Sequence, residues 1–490
     1  MARLGLSRRC VPLLAGGLAA ALVSGCAVGP NYHRPEIPAP PQHRFLEAPA
    51  QAESIADLPW WEVAKDPQLQ ALVREAIANN LDLQTATARV TEARAQYGIA
   101  KSFLLPQVAA GAGYTALEAS RKSEPPEGSA TRKTYQNWNA GFTLSWEIDL
   151  FGRIRREKEA AFAAYLATEE GRRGVLITLV ADVASNYFLL RELDLELEVA
   201  HRTLASNDET VAFYEKRLKG GVSNRLEVDQ AVANRARTAA SIPDIERRIG
   251  LTEDALSVLL GRLPGPIARG VALEDQYLPP SPPAGIPAAL LERRPDVVAA
   301  EELLVASNAN VGAAKALFFP TISLTGLLGT LSSEFSNLLK ADSNVWSVSP
   351  GLFQPIFQGG RIKRNYEAAK ARYEQALAQY KKAALDGYRE VADALVTLQK
   401  LGAQRTEIER GVDALRDASK LARQRYDTGL SSYLEVLIAD QYLFEQEILL
   451  AQTRGAELQA FVQLYRALGG GWQAEPGPAG PPATAPAPSS

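Results

Sequence analysis

The sequence predicts a mainly α chain that also carries four β-strands, built as two copies of one helix–strand–strand–helix unit. Three observations predict it: an internal repeat, two long stretches without proline, and a switch from helical to alternating hydrophobic period inside each copy.

The repeat is read from phrases that recur in the same order. "GIAKSFLLP" at 98–106 returns as "GAAKALFFP" at 312–320, and "GRIRR" at 152–156 as "GRIKR" at 360–364. "GGVSNRLEV" at 220–228 returns as "TGLSSYLEV" at 428–436, and Leu260-Gly261 as Leu468-Gly469. The last three pairs are offset by 208 residues and the first by 214. Only the segment between the Pro and the Gly-Arg therefore varies in length, which marks an adjustable loop. The copies run over 66–265 and 287–470, joined by a Pro-rich linker at 266–286 and followed by a disordered Pro-rich tail at 471–490.

The first 25 residues read as a leader. Arg3, Arg8 and Arg9 precede an apolar run from Val11 to Val23, which suits a signal-peptide core and is short for a bilayer span. The run ends in "LVSGC". Ser24 and Gly25 before Cys26 resemble the lipobox of bacterial lipoproteins, which would make Cys26 the lipidated first residue of the mature chain; ordinary signal cleavage is the other reading. Ala27 stands where an Asp often signals inner-membrane retention in such lipoproteins, so the resemblance favours the outer membrane. Cys10 would leave with the leader, and a single cysteine cannot form an internal disulfide. Residues 26–65, opening "CAVGPNYHRP", form a Pro-rich anchored segment.

Beyond the leader no stretch approaches 18 consecutive apolar residues, so any membrane crossing falls to strands. A helix after residue 66 leads to a strand at 107–117, with Val108, Ala110, Ala112 and Tyr114 on one face. The strand at 137–148 alternates strictly over twelve residues: Trp138, Ala140, Phe142, Leu144, Trp146 and Ile148 against Asn137, Asn139, Gly141, Thr143, Ser145 and Glu147. The second copy offers strands at 321–331 and 344–353. These lengths suit membrane strands, and a soluble sheet half-buried on a core is the alternative. Four strands are too few to close a membrane barrel, and open edges are not tolerated in lipid, so a barrel would have to be shared between chains.

The proline-free stretches, 127–242 and 356–475, hold long helices at 153–219 and 361–427, returning as helices at 224–260 and 432–468. A heptad ladder from Leu176 through Val183, Leu190, Leu197 and Leu204 to Tyr214 and Leu218 demands a neighbouring helix. A coiled-coil stalk and the wall of a tube satisfy it equally. At the turns, Gly221 and Gly429 suit the left-handed residue that ends a helix. Asn224 with Glu227, and Ser432 with Glu435, fit the N-cap and N3 positions of a capping box.

Composition excludes several functions. Lys plus Arg number 53 against 56 Asp plus Glu, too balanced for a nucleic-acid binder. Three scattered histidines, His33, His43 and His201, offer no metal site. "RRPD" reads as helix initiation, with Pro295 first and Asp296 in the electropositive first turn. Trp60, Trp61 and Trp472 read as packing anchors. No nucleophile elbow, P-loop or His-Glu constellation is present, so neither an enzyme nor a cofactor other than covalent lipid on Cys26 is expected.

"CAVGPNYHRP", "SWEIDLFGRIRR", "LLERRPDVVAAE", "AKALFFPTISLTG", "PIFQGGRIKRN" and "LYRALGGGW" together resemble the TolC-like outer membrane factors, in the lipoprotein branch that partners resistance-nodulation-division efflux pumps. The resemblance implies a homotrimeric channel-tunnel in a Gram-negative outer membrane. Twelve strands would form one β-barrel, twelve helices a periplasmic α-barrel, and a small mixed domain would surround its middle. It implies passive export of drugs, toxic compounds or metal ions delivered by an inner-membrane pump through a periplasmic adaptor. The two turns, Gly221, Val222 and Ser223 with Gly429, Leu430 and Ser431, would be the tip where the adaptor docks. Glu227, Tyr426 and Glu435 would belong to the gate, with Tyr426 bonding Glu227. Ser431 and Ile438 depart from the family's basic and acidic gate positions. A lipid-anchored coiled-coil scaffold without a pore, or the outer-membrane part of a type I protein secretion system, are the alternatives.

Overall fold

The computed structural model describes residues 27–41, 65–118, 134–276 and 290–470, with Arg44, Ile55, Leu58, Pro59 and Pro287. The leader, Cys26, Trp60, Trp61, Trp472 and the tail lie outside the described residues. In chain order the elements are α1 Pro67–Asn79, α2 Leu81–Ser102, β1 Gln107–Glu118, β2 Thr134–Ile148, α3 Arg153–Lys219 and α4 Arg225–Leu259. There follow α5 Leu290–Arg293, α6 Pro295–Ala316, β3 Thr321–Ser332, β4 Asn344–Phe353, α7 Arg361–Asp427 and α8 Tyr433–Ala467. Both α3 and α7 are unbroken at 67 residues, and α4 and α8 both have 35. α4 runs on through Pro243, which deletes one backbone donor without ending the helix.

Contacts divide the chain into two units. The first holds residues 27–36, Arg89–Thr168 and Ala300–Tyr380; the second holds the described residues between 37 and 88, Glu169–Ala299 and 381–470.

In the first unit, β1 to β4 pair in sequence order as one antiparallel sheet. Directly paired residues share a face, so the register decides whether the four alternating patterns agree. Val108 faces Leu144, Ala110 faces Phe142 and Tyr114 faces Trp138. Phe142 then faces Leu328, which faces Trp346. One side is thus apolar across all four strands. The other carries Thr143, Ser145, Ser323, Thr325, Ser347 and Ser349 and the glycine row Gly111, Gly141 and Gly329, with Leu327, Leu331 and Val345 set among them. β1 is exposed along its whole length and β4 nearly so, and the apolar face is open on the central strands too, with Phe142 57% and Leu328 64% exposed.

The strand-to-helix switch is built by "EIDLFGR". Asp149 accepts hydrogen bonds from the backbone N–H groups of Ile154 (3.2 Å) and Arg155 (2.8 Å), satisfying free donors of α3. Arg153 pairs with Glu147 at 2.8 Å. The N-terminal segment is strapped across this unit. Val28 N–H donates to Phe151 O, Arg156 donates to Asn31 Oδ1, Asn308 donates to Pro30 O, and Glu301 takes both Tyr32 and Arg34. A side chain at Gly29 would overlap Gly312, and one at Gly152 would lie 2.6 Å from Ala27 Cα.

The second unit has the larger core. Leu69, Leu72 and Val73 of α1, Leu179, Val183, Tyr187 and Leu190 of α3, and Leu458, Phe461 and Leu464 of α8 meet in one cluster. Part of α3 is long and apolar enough to cross a membrane by composition, contrary to the absence expected from the sequence. Half of that window is buried in the protein, so it reads as a core helix whose apolar residues face several neighbours. The expected small mixed domain shows only short helices among the described residues: the 3₁₀ turn Leu273–Asp275 and α5. "RRPD" places Pro295 first in α6, and its buried Arg294 donates to the Ala467 carbonyl and pairs with Asp296 and Glu390.

Candidate functional site: the helical tip

Both helical hairpins close with the same backbone device. Gly221 N–H donates to Leu218 O and Val222 N–H to Arg217 O, each at 3.0 Å. Gly429 N–H donates to Tyr426 O at 2.9 Å and Leu430 N–H to Arg425 O at 2.8 Å. This paired bonding around a left-handed residue is the Schellman motif. Gly221 and Gly429 have φ of +73° and +78°, where an L side chain is strained. The residues that follow project outward: Val222 is 65% exposed and Leu430 73%.

The returning helices start differently. Asn224 Oδ1 accepts the Glu227 N–H at 3.0 Å, a side-chain N-cap. The reciprocal half of the expected capping box is replaced, since the Ser223 hydroxyl donates to Glu227 Oε2. Ser432 sits at the N-cap of α8 without a side-chain bond; its backbone carbonyl accepts from Glu435 N–H at 3.2 Å. Glu435 instead faces Arg425 at 3.6 Å. Ser431 Oγ is buried without a hydrogen-bond partner among the described residues.

The resemblance implied a bond from Tyr426 to Glu227; in this chain the Glu227 carboxylate takes the Ser223 hydroxyl, and Tyr426 packs elsewhere. It lies in an aromatic cluster joining the ends of α3 and α7 to the start of α8. The rings of Tyr214 and Tyr433 are 4.2 Å apart, Tyr214 and Tyr426 5.8 Å, and Tyr426 and Tyr433 6.0 Å. The Arg217 guanidinium lies 5.4 Å from the Tyr426 ring, within cation–π range. Val228, Ala231, Ala422 and Val436 complete this small core. Burial and a hydrogen bond shared with Tyr426 hold the Tyr214 hydroxyl far above the ordinary phenol range. Burial, then the charge of Asp440, pushes Tyr433 up to about 12. Asp440 takes Ser419 at 2.5 Å and Arg423 at 2.7 Å. Ile438 is 44% exposed, so the departure at that position presents an apolar group.

Sequence reasoning found the turns and missed the cluster. Tyr214 was visible only as a seam position in the heptad ladder, and Tyr433 only as a residue inside a matched phrase. Nothing local marks two residues on different hairpins as neighbours. Among the described residues no group of three or more His, Cys, Asp or Glu is placed to hold a metal ion.

A family model described as outer membrane efflux protein matches residues 72–262 and again 286–470. The cation efflux system protein CusC of Escherichia coli O6:H1 is 36% identical over 454 residues, covering 92% of this chain and 97% of that protein. The solvent efflux pump outer membrane protein SrpC of Pseudomonas putida is 37% identical over 459 residues, covering 92% and 96%. Among solved structures, the open state of the Neisseria gonorrhoeae MtrE outer membrane channel superposes with a TM-score of 0.83 at 30% identity, covering 91% of this chain and 99% of that one.

Proposed function

The chain belongs to the outer membrane efflux protein family, and from that premise we propose that it is the trimeric outer-membrane duct of a tripartite efflux pump. The observation that carries the reading is the sheet: one face apolar across four strands, the other mainly Ser, Thr and Gly with Leu327, Leu331 and Val345 among them, and two strands with an unpaired edge. In lipid such edges must be paired, and β4 of one copy joining β1 of the next supplies the partner. Three copies would make a barrel of about twelve strands, within the size range of outer-membrane barrels. The polar face would line a water-filled lumen.

The rest of the path is a set of proposals on named residues. Cys26 carries the lipid anchor, supported by Ala27 lying against Gly152 at the strand-to-helix switch. Gly221, Val222, Ser223, Gly429, Leu430 and Ser431 form the surface that a periplasmic adaptor meets, supported by the exposure of both apolar tips. Glu227, Tyr426 and Glu435 belong to the closed gate. Because Tyr426 and Glu227 are engaged inside the chain, opening has to separate the aromatic cluster as well as contacts between copies. Cargo enters from an inner-membrane pump, and the duct works by conduction and not by chemistry. CusC and SrpC carry cation and solvent efflux in their names; here the pump, not the lumen, would choose among small molecules of that breadth.

Conductance of the purified protein in planar bilayers tests the duct. The expected result is a closed resting channel opened by joint substitution of Tyr426 and Glu227; an intact trimer that stays silent in that variant would sink the proposal.

A further inference from the structure

Away from the tip, α3 buries two carboxylates where it meets α4 and α8. Glu192 and Glu196 stand one helical turn apart on α3, with 6% and 1% of their surface exposed. Like charges at this spacing repel, and burial removes the water that would screen them. Among the described residues one cation, Arg248, acts on the pair. Arg248 of α4 reaches Glu196 Oε2 at 2.8 Å, and Gln452 of α8 donates to Glu196 Oε1 at 3.0 Å. Both Glu196 oxygens are thereby occupied as acceptors.

Glu192 is placed otherwise. It has no hydrogen-bond partner among the described residues and faces Gly455 of α8, where any side chain would overlap its Oε2. The glycine is the cavity into which this carboxyl fits. The groups that act on it are Glu196 on its own helix and Arg248 on α4, while α8 presents Gly455 and the amide of Gln452. The second hairpin has its own buried acid in the comparable place: Glu457 of α8 pairs with Arg405 of α7 at 2.7 Å. In both hairpins the ion pair joins residues 52 apart, with the charges exchanged.

We propose that Glu192 and Glu196 form a one-proton site at the α3–α8 contact, whose proton holds the two helical hairpins of a protomer together and whose loss loosens them. Burial, then the neighbouring Glu196 charge, pushes Glu192 up to about 8, with Arg248 opposing. A carboxyl whose pKa is raised by folding contributes most below its ordinary pKa, and that stability is lost as pH rises through the folded value. The tertiary structure therefore weakens toward mildly alkaline pH at a contact between the helices of two different hairpins.

The test compares the full-length protein in detergent with E192Q, the neutral isostere of the protonated form, and needs no channel activity. Thermal unfolding is followed from about pH 6 to about pH 9. The wild type should lose several degrees of midpoint across that range beyond any change in E192Q, and E192Q should be the more stable at the alkaline end. A protonated-carboxyl infrared band present in the wild type near neutral pH should be absent from E192Q. G455A, which evicts the Glu192 carboxyl, should lower the midpoint at the acid end and flatten its pH dependence. Equal pH dependence in wild type and E192Q, or an unchanged carboxyl band, overturns the proposal.

Discussion

The two hairpin turns share a backbone and differ in everything attached to it. Both end a 67-residue helix in a Schellman motif with glycine in the left-handed position and an exposed aliphatic residue after it. The first restarts its helix with a side-chain cap from Asn224, whereas the second relies on backbone alone at Ser432. The first contributes Tyr214 to the shared core and leaves Leu218 where the second has Tyr426. Duplication has kept what the chain path needs and let the inward faces become complementary instead of equivalent. An aromatic cluster across the two hairpins requires that asymmetry, since identical faces would repeat each other's bulk.

The two turns should matter most at their exposed tips. Replacing Val222 and Leu430 together with Asp should reduce export to that of a strain lacking the protein, read as substrate accumulation, while trimer formation and membrane insertion persist. Unchanged accumulation would remove docking from these turns. Next in size is the aromatic core. Tyr214→Ala deletes a side chain only 2% exposed and should cost about 3–5 kcal/mol, as other large-to-alanine core changes do. Tyr426→Ala, at a half-buried position, should cost less, and thermal unfolding in detergent ranks the two. Equal losses would mean that the cluster is not organised around Tyr214.

Gly221→Ala and Gly429→Ala probe what the turns share. Each forces an L residue into the left-handed region and should cost about 1–2 kcal/mol, nearly equally. The smallest effects separate the caps: Asn224→Ala should cost about 1 kcal/mol and Ser432→Ala a few tenths. A reversed order would show that the side-chain cap of the first turn is not what starts α4.

Much of this was legible along the chain. Period two in "NWNAGFTLSWEI" and the heptad ladder ending at Leu218 are local signals, because a strand or helix side chain declares its face by spacing alone. Glycines 221 and 429 were legible for a similar reason: one residue type fits the backbone that ends a helix there. β2 nonetheless starts at Thr134 and not Asn137, since pairing with β1 carries the ladder past the alternating segment. The capping box at Ser432 and Glu435 did not form, because Glu435 lies within reach of Arg425. A motif that fits two partners is decided by whichever the fold brings closer.

By itself the sequence determined the duplicated plan, the strands with one oily face, the long helices and the turns between them, all properties of spacing within a few residues. Only the tertiary structure decided that four alternating strands align their oily faces into one surface, that Tyr214 meets Tyr426 and Tyr433, and that Glu192 lies against Gly455. Those contacts join residues far apart along the chain. Their energy depends on register and helix rotation, which no local window specifies.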